Sequence, residues 1–206
     1  MPGSVLRFLA LGDSYTIGEG VEPAERWPTQ LAALLRAEGI DIGEPEFIAE
    51  TGWTTLDLAN ALRDRAPEGP YDLVSLLIGV NNQYQGVSAE DFAAGFRVLL
   101  ERAIALAGDD PFRVIAVSIP DWGVTPFAAG RDSAAISAEV DLYNQLALLT
   151  VMQTGPHWVN VTAASRQAGA DPAMLAADGL HPSAAMYGTW AALAVRSALA
   201  GLRRKS

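Results

Sequence analysis

The stretch FLALGDSYTIGEG, residues 8–20, decides how the chain folds, because it carries an apolar run into a polar, glycine-rich turn. The run begins at Val5, breaks at Gly12 and is followed by Asp13 and Ser14. This change is typical of a buried β-strand that ends at a functional edge of a sheet. Ligands of open α/β sheets bind where the strands end, so Ser14 is a candidate nucleophile. Taken alone, however, the stretch favours the alternative that Ser14 caps a helix.

Length and composition predict one soluble domain. Half of the 206 residues are apolar, which suffices for a single core, and we expect residues 1–206 to form one domain. No apolar run reaches 18 residues, and the first apolar segment ends in a polar turn rather than at a cleavage site of small residues. These features predict a cytoplasmic protein without a membrane-spanning segment.

Composition also narrows the chemistry and the partners. The chain has no cysteine, which excludes disulfides, thiolate catalysis and cysteine-ligated metals, and its two histidines are too few for a histidine-rich metal site. We therefore expect neither a metal nor a cofactor. The formal charge of -10 comes from dispersed acidic residues, which argues against a nucleic-acid or anionic-membrane partner. The oligomeric state stays open.

Strand-like and helix-like segments alternate along the chain. Periodicity and capping residues predict strands at 5–11, 46–49, 71–78, 113–119 and 158–161, and helices at 27–37, 54–66, 88–104, 133–154 and 183–202. This order predicts a parallel sheet of about five strands with helices on both faces and right-handed crossovers. The irregular segment 120–132 contains two prolines and two glycines, and we interpret it as a lid or a pocket wall.

Three residues follow three different strands at what should be one edge of the sheet. They are Ser14 after the first strand, Gly52 after the second and Asn81 after the third. A tetrahedral oxyanion needs fixed donors, and the backbone N–H groups of Ser14 and Gly52 and the side-chain amide of Asn81 are candidates. Considered singly, Gly52 and Asn81 are better explained as ordinary turn residues. Their convergence on one edge is what favours a site.

A histidine and an aspartate precede the last helix. Pro182 disfavours helical geometry at His181 and so helps to keep this residue in the loop. A serine nucleophile needs a base, and the base needs an acceptor on its other ring nitrogen. His181 and Asp178 can fill these two roles, although an Asp-x-x-His pair by itself is a weak signal.

Other candidate residues are interpreted as structural or solvated. His157 precedes a short apolar strand and is expected to be structural or at the surface. Glu19 and Glu22 have no partner acid at a meaningful spacing, so we interpret them as solvated loop charges. Three aromatic residues flank the predicted site and are either walls of an acyl or sugar pocket or caps of the core: Trp53, Tyr84 and Trp122.

Four short blocks resemble those of the SGNH (GDSL-like) hydrolases, and together they span nearly the whole chain. They are Gly12–Tyr15, Gly52, Gly79–Asn82 and Asp178–Pro182, in the order and strand context of that family. The resemblance implies a flavodoxin-like three-layer α/β/α sandwich.

The resemblance also implies a role for each matching residue. Ser14 would be the nucleophile, His181 the base and Asp178 the residue that orients the base. Gly52 and Asn81 would help Ser14 to form the oxyanion hole. No metal or cofactor is implied.

Two positions depart from the family pattern. Tyr15 occupies the position of the leucine in the GDSL motif that gives the family its name, and variation of this kind is common. Asn82 stands where the third block usually has aspartate, which removes a charge beside the predicted hole. This second departure bears on how the loop of Asn81 is held.

The leading hypothesis is a serine hydrolase that cleaves a small-molecule carboxylic ester or thioester through an acyl-enzyme. Lysophospholipase, thioesterase and carbohydrate deacetylase roles all stay open, because specificity depends on pocket shape. One alternative is a phosphate- or nucleotide-binding flavodoxin-like module, against which we count the charge of Asp13. The other is a catalytically silent interaction domain, against which we count the complete set of five site residues.

Overall fold

The computed structural model describes residues 5–204 and contains a five-stranded, all-parallel sheet. The strands lie in the order β2-β1-β3-β4-β5. Their bounds are β1 Phe8–Gly12, β2 Glu46–Ala49, β3 Leu73–Leu77, β4 Val114–Val117 and β5 His157–Val159. The predicted α/β class and strand number are confirmed, although β1 and β3 are shorter than their apolar runs.

Helices cover both faces of the sheet. The longer ones are α2 Trp27–Ala37, α3 Thr55–Arg65, α5 Ala89–Leu106, α6 Ser133–Thr154 and α8 Ala184–Leu202. Three short helices were not predicted: α1 Ser14–Ile17, α4 Val80–Tyr84 and α7 Thr162–Ala168. Helices α2 and α8 pack together on one face, and α5 packs against α3 and α6 on the other. The result is the three-layer sandwich that the sequence predicts.

The predicted helix starts are correct where a side chain caps the helix. Thr54 accepts a hydrogen bond from the N–H of Asp57, and Ser88 accepts one from the N–H of Asp91. Ser183 likewise accepts from the N–H of Met186 at the start of α8. Each cap satisfies a backbone donor that the helix itself leaves without a partner.

The two central strands are buried along their whole length. Every residue of β1 and of β3 is buried, and their sequences FLALG and LVSLL lack the alternation of a half-exposed strand. Strands covered by helices on both faces have this pattern. The sheet is therefore a rigid support for the loops at its carboxyl edge.

Two glycines allow the chain to turn sharply at that edge. A Cβ on Gly12 would overlap the hydroxyl of Thr16 and the carbonyl oxygen of Leu77, so the turn after β1 is closed tightly against β3. Gly79, the residue before α4, has φ 131°, and a Cβ there would overlap the ring of Phe92. Both positions therefore require glycine.

No helix within residues 5–204 is long and apolar enough to cross a membrane.

Candidate active site

Asp13, and not Ser14, caps the first helix. The Asp13 side chain accepts a hydrogen bond from the N–H of Tyr15 at 3.0 Å through Oδ1. Ser14 is the first residue of α1, so the alternative interpretation of Ser14 as the cap is wrong. Because the aspartate satisfies the helix end, the serine hydroxyl is free to contact another side chain.

The Ser14 hydroxyl contacts His181, which lies 167 residues further along the chain. Ser14 Oγ is 2.9 Å from His181 Nε2, and His181 Nδ1 is 2.6 Å from Asp178 Oδ2. A carboxylate only accepts hydrogen bonds, so Nδ1 carries the ring proton and Nε2 is left to accept from Ser14. The structure thus brings together Ser14, His181 and Asp178 in one hydrogen-bonded chain.

Asp178 also shapes the loop that carries the histidine. Its Oδ1 accepts hydrogen bonds from the N–H groups of Leu180 and His181, both at 2.9 Å. Burial opposes the ionisation of Asp178, but the bonds from the His181 ring and from these two amides together hold its pKa below the usual value. The carboxylate is therefore charged where it meets Nδ1.

The histidine loop is tied to the residues on both sides of it. His181 is buried, and its carbonyl accepts from the N–H of Ala176 at 2.7 Å. Leu175 and Pro182 form an isolated antiparallel bridge across the same loop. The ring of Tyr15 lies 5.1 Å from the imidazole, centroid to centroid. These contacts fix the orientation of the ring.

Gly52 and Asn81 line the same cavity as Ser14 and His181. The Asn81 amide donates to the carbonyl of Trp53 at 2.9 Å, which leaves its second N–H for another acceptor. Gly52 has φ 82°, in the left-handed region that favours glycine. The structure therefore gathers every residue that the sequence predicts for the site.

Asn82 lies behind the cavity and not on its wall. Its side chain is buried, with Oδ1 accepting from the N–H of Thr55 at 3.0 Å and Nδ2 donating to the Thr55 hydroxyl at 2.9 Å. An aspartate can make the same two contacts if the Thr55 hydroxyl donates rather than accepts. The departure at Asn82 therefore concerns the anchoring of α4 on α3.

The cavity beside Ser14 measures about 160 Å³ and is largely apolar. Its lining consists of Ser14, Tyr15, Thr51, Gly52, Val80, Asn81, Tyr84, Trp122, Phe127, Leu180 and His181. Tyr84 and Trp122 thus form pocket walls, whereas Trp53 contributes its carbonyl to Asn81 and is not part of the lining.

Segment 120–132 forms one wall of this cavity. It contains two 3₁₀ turns, and the N–H of Phe127 donates to the carbonyl of Gly179 in the histidine loop. The Arg131 guanidinium lies 5.1–5.6 Å from the ring centroids of Tyr84, Trp122 and Phe127. Of the two predicted roles for the segment, the structure supports the pocket wall.

Asp13 differs most from the prediction made for it. Its side chain is fully buried, and Oδ2 has no hydrogen-bond partner among residues 5–204. Burial raises the pKa of Asp13 to about 8, and the bond from the Tyr15 amide opposes this only in part. Burial therefore favours the neutral form of Asp13, which weakens the argument that its charge would repel a phosphate.

Glu19 is not simply a solvated loop charge. Its Oε2 lies 4.0 Å from His181 Nε2 and accepts a hydrogen bond from the hydroxyl of Thr51. The sequence gives no signal for this contact. By contrast, His157 lies in β5 opposite Ile115, with its ring against Phe112, as a structural residue would.

Within residues 5–204, no group of three or more histidine, cysteine, aspartate or glutamate residues is placed to hold a metal ion.

The comparisons with known proteins agree with this geometry. The family model for the GDSL-like Lipase/Acylhydrolase family matches residues 10–188. A search of the curated proteins finds no match.

Several solved structures share the fold. TesA superposes with a TM-score of 0.73 at 19% identity, covering 95% of this chain and 99% of that one. A lipolytic protein of the G-D-S-L family from Veillonella parvula has a TM-score of 0.69 at 18% identity, covering 93% of this chain and 97% of that one. An acetylxylan esterase from Geobacillus stearothermophilus has a TM-score of 0.67 at 22% identity, covering 98% of this chain and 96% of that one. At these identities the likeness concerns the fold.

The buried Asp13 makes stability depend on pH. An unfolded aspartate titrates near 3.9, whereas the pKa of folded Asp13 is about 8. Between these values the folded protein keeps a proton that the unfolded chain has lost, so the free energy of unfolding falls as pH rises. Asp13→Asn keeps the oxygen that caps α1 and replaces the carboxyl O–H by an amide N–H. Because asparagine does not titrate, the unfolding free energy of the variant should not fall in this way as pH rises.

Urea denaturation of the wild type and of Asp13→Asn at pH 5, 6.5 and 8 measures the effect. We expect the difference in unfolding free energy to change in favour of the variant by about 3 kcal/mol between pH 5 and pH 8. A difference that stays constant over this range would mean that Asp13 is ionised in the folded protein.

Proposed function

The chain belongs to the GDSL-like lipase/acylhydrolase family, a family of esterases and acylhydrolases, and we propose that it hydrolyses small-molecule carboxylic esters or thioesters through an acyl-enzyme on Ser14. The observation that carries the proposal is the hydrogen-bonded chain from Ser14 Oγ to His181 Nε2 and from His181 Nδ1 to Asp178. A nucleophile, a base and an orienting carboxylate in this order are what acyl transfer requires.

The first step is attack by Ser14. His181 Nε2 takes the hydroxyl proton while Oγ forms a bond to the carbonyl carbon of the substrate, whose oxygen becomes an oxyanion. Asp178 holds Nδ1 and stabilises the imidazolium that results. The spacing of 2.9 Å between Oγ and Nε2 needs no rearrangement for this transfer.

The oxyanion requires donors that are in place before it forms. We assign this role to the N–H groups of Ser14 and Gly52 and to the free N–H of Asn81. The Trp53 carbonyl fixes the Asn81 amide, so the amide needs little reorganisation when charge develops.

The acyl-enzyme then forms and breaks down. The tetrahedral intermediate collapses, the bond to the leaving oxygen or sulfur breaks, and His181 returns its proton to the leaving group. Water then attacks the Ser14 ester while His181 accepts one of its protons. In the collapse of this second intermediate the bond from Oγ to the acyl carbon breaks and the acid is released, while His181 returns the proton to Oγ and so restores the Ser14 hydroxyl.

Replacement of the nucleophile tests the proposal. Ser14→Ala should lower kcat by about 10⁴-fold or more and abolish covalent labelling by a fluorophosphonate. Ser75→Ala is the matched control, because Ser75 is a buried serine of β3 whose hydroxyl has no partner within residues 5–204. It should be labelled like the wild type. Labelling that persists in Ser14→Ala would overturn the assignment.

Substitutions at two adjacent asparagines distinguish the residue that donates to the oxyanion from the residue that anchors α4 on α3. Asn81→Ala should lower kcat by about 10²- to 10³-fold with little change in KM, because the lost donor acts on charge formed in the transition state. Asn82→Asp can keep both contacts with Thr55 and should leave kcat within a few-fold. If Asn81→Ala is harmless while Asn82→Ala lowers kcat by about 10²-fold, Asn82 and not Asn81 is the donor.

The cavity size suggests which acyl groups fit. Its volume of about 160 Å³ is close to that of an engineered cavity of about 150 Å³ that holds benzene. We expect kcat/KM for activated esters to peak at acyl chains of roughly four to six carbons.

Shortening the rim residue Phe127 tests this chain-length preference. Its side chain lines the cavity but is 41% exposed, so Phe127→Ala should fold normally. Removal of the ring should move the optimum of kcat/KM to longer acyl chains. An optimum at the same chain length in the variant and the wild type would mean that the acyl group binds elsewhere.

A further inference from the structure

Glu19 is held rigidly next to the nucleophile. Its N–H donates to the carbonyl of Ser14 at 3.0 Å, and it lies between Gly18 and Gly20, which have φ values of 68° and 83°. A Cβ on Gly20 would come within 2.8 Å of Ala176, so this turn packs closely on the histidine loop. The backbone therefore fixes the point from which the Glu19 side chain extends.

The Glu19 side chain is directed at the histidine ring and is held there by a second contact. Oε2 lies 4.0 Å from Nε2 of His181, the nitrogen that contacts Ser14. The same oxygen accepts a hydrogen bond from the hydroxyl of Thr51, the residue before Gly52. A carboxylate with an anchored backbone and a hydrogen-bonded oxygen has little freedom to turn away.

We propose that Glu19 is a positioning residue that stabilises the protonated ring of His181 from its Nε2 side. The inference rests on the proposed function, in which Nε2 takes up the proton of Ser14. While the ring is neutral, the carboxylate interacts with it only weakly. Once Nε2 carries the proton, a positive charge faces the Glu19 carboxylate, so the attraction is strongest where the reaction needs it.

The other ionisable groups around the ring cannot replace this contact. Asp178 holds Nδ1, on the opposite side of the imidazole. Burial raises the pKa of Tyr15, whose ring lies beside the imidazole, so Tyr15 is neutral. The charges of Asp13 and Asp121 also raise the pKa of Tyr15, and burial favours the neutral form of Asp13 itself. Glu19 therefore supplies the charge on the Nε2 side.

Solvent limits the size of the effect. The Glu19 side chain is 40% exposed, so water and salt screen its charge. We expect the titration midpoint of the His181 ring to fall by about 0.5–1 pH unit in Glu19→Gln. Glutamine is matched to glutamate in size and keeps an oxygen that can accept from Thr51, so the substitution removes mainly the charge.

NMR titration of the histidine ring protons tests the inference without a substrate. The chain has two histidines, and His157→Gln identifies the signal of His181. Glu22→Gln is the matched control, because it removes the charge of an exposed glutamate in the same loop region. The midpoint of His181 should fall in Glu19→Gln and stay within about 0.2 units in Glu22→Gln. Equal midpoints in the wild type and Glu19→Gln would overturn the proposal.

Kinetics give a second readout that a merely structural role would not produce. In Glu19→Gln the acid limb of the kcat/KM profile should move to lower pH, while kcat on the plateau falls about 3- to 10-fold and KM changes little. An unchanged acid limb would contradict the proposal.

The failure of this inference and the failure of the proposed function are distinguishable. Fluorophosphonate labelling of Ser14 decides the proposed function, whereas the titration of His181 in the resting protein decides the role of Glu19. If Ser14 is labelled but the titration midpoint of His181 is the same in the wild type and in Glu19→Gln, the proposed function stands and the role of Glu19 is refuted.

Discussion

The hydrogen bond between Ser14 and His181 depends on the parallel sheet more than on the two residues themselves. It joins the first βα turn to the loop before the last helix, across 167 positions of sequence. Such a contact forms only if both segments emerge at the same edge of the sheet. The parallel order with right-handed crossovers places the ends of all strands at that edge. The packing of α2 against α8 then brings the start and the end of the chain together.

The turn after β1 combines structural and chemical demands. Gly12 allows the close approach to β3, and Asp13 caps α1 so that Ser14 does not have to. This arrangement has a cost, because Asp13 is buried with one oxygen that has no partner among the described residues. Protonation lowers that cost, since a neutral carboxyl loses less hydration on burial than a carboxylate does. The capped turn holds Ser14 in place without using its hydroxyl.

The fold and the set of site residues follow largely from local sequence signals. The buried strands, the caps at Thr54 and Ser88 and the loop position of His181 all depend on neighbouring residues, so the sequence predicts them. Helices α1 and α4 have four and five residues, too few to display a helical period, and were missed. The charge state of Asp13 and the contact of Glu19 were also missed, because both depend on segments distant in sequence.

Three carboxyl groups belong to the loops that carry Ser14 and His181, and their surroundings give each a different character. Asp13 is fully buried with a single amide donor, so its pKa rises and its neutral form is favoured. Asp178 accepts from two amides and from the ring, so its pKa falls and it is charged at Nδ1. Glu19 is partly exposed and faces Nε2 at 4.0 Å. Under the proposed function, the carboxylates of Asp178 and Glu19 flank the ring on its Nδ1 and Nε2 sides, where they stabilise the imidazolium that forms when Ser14 gives up its proton.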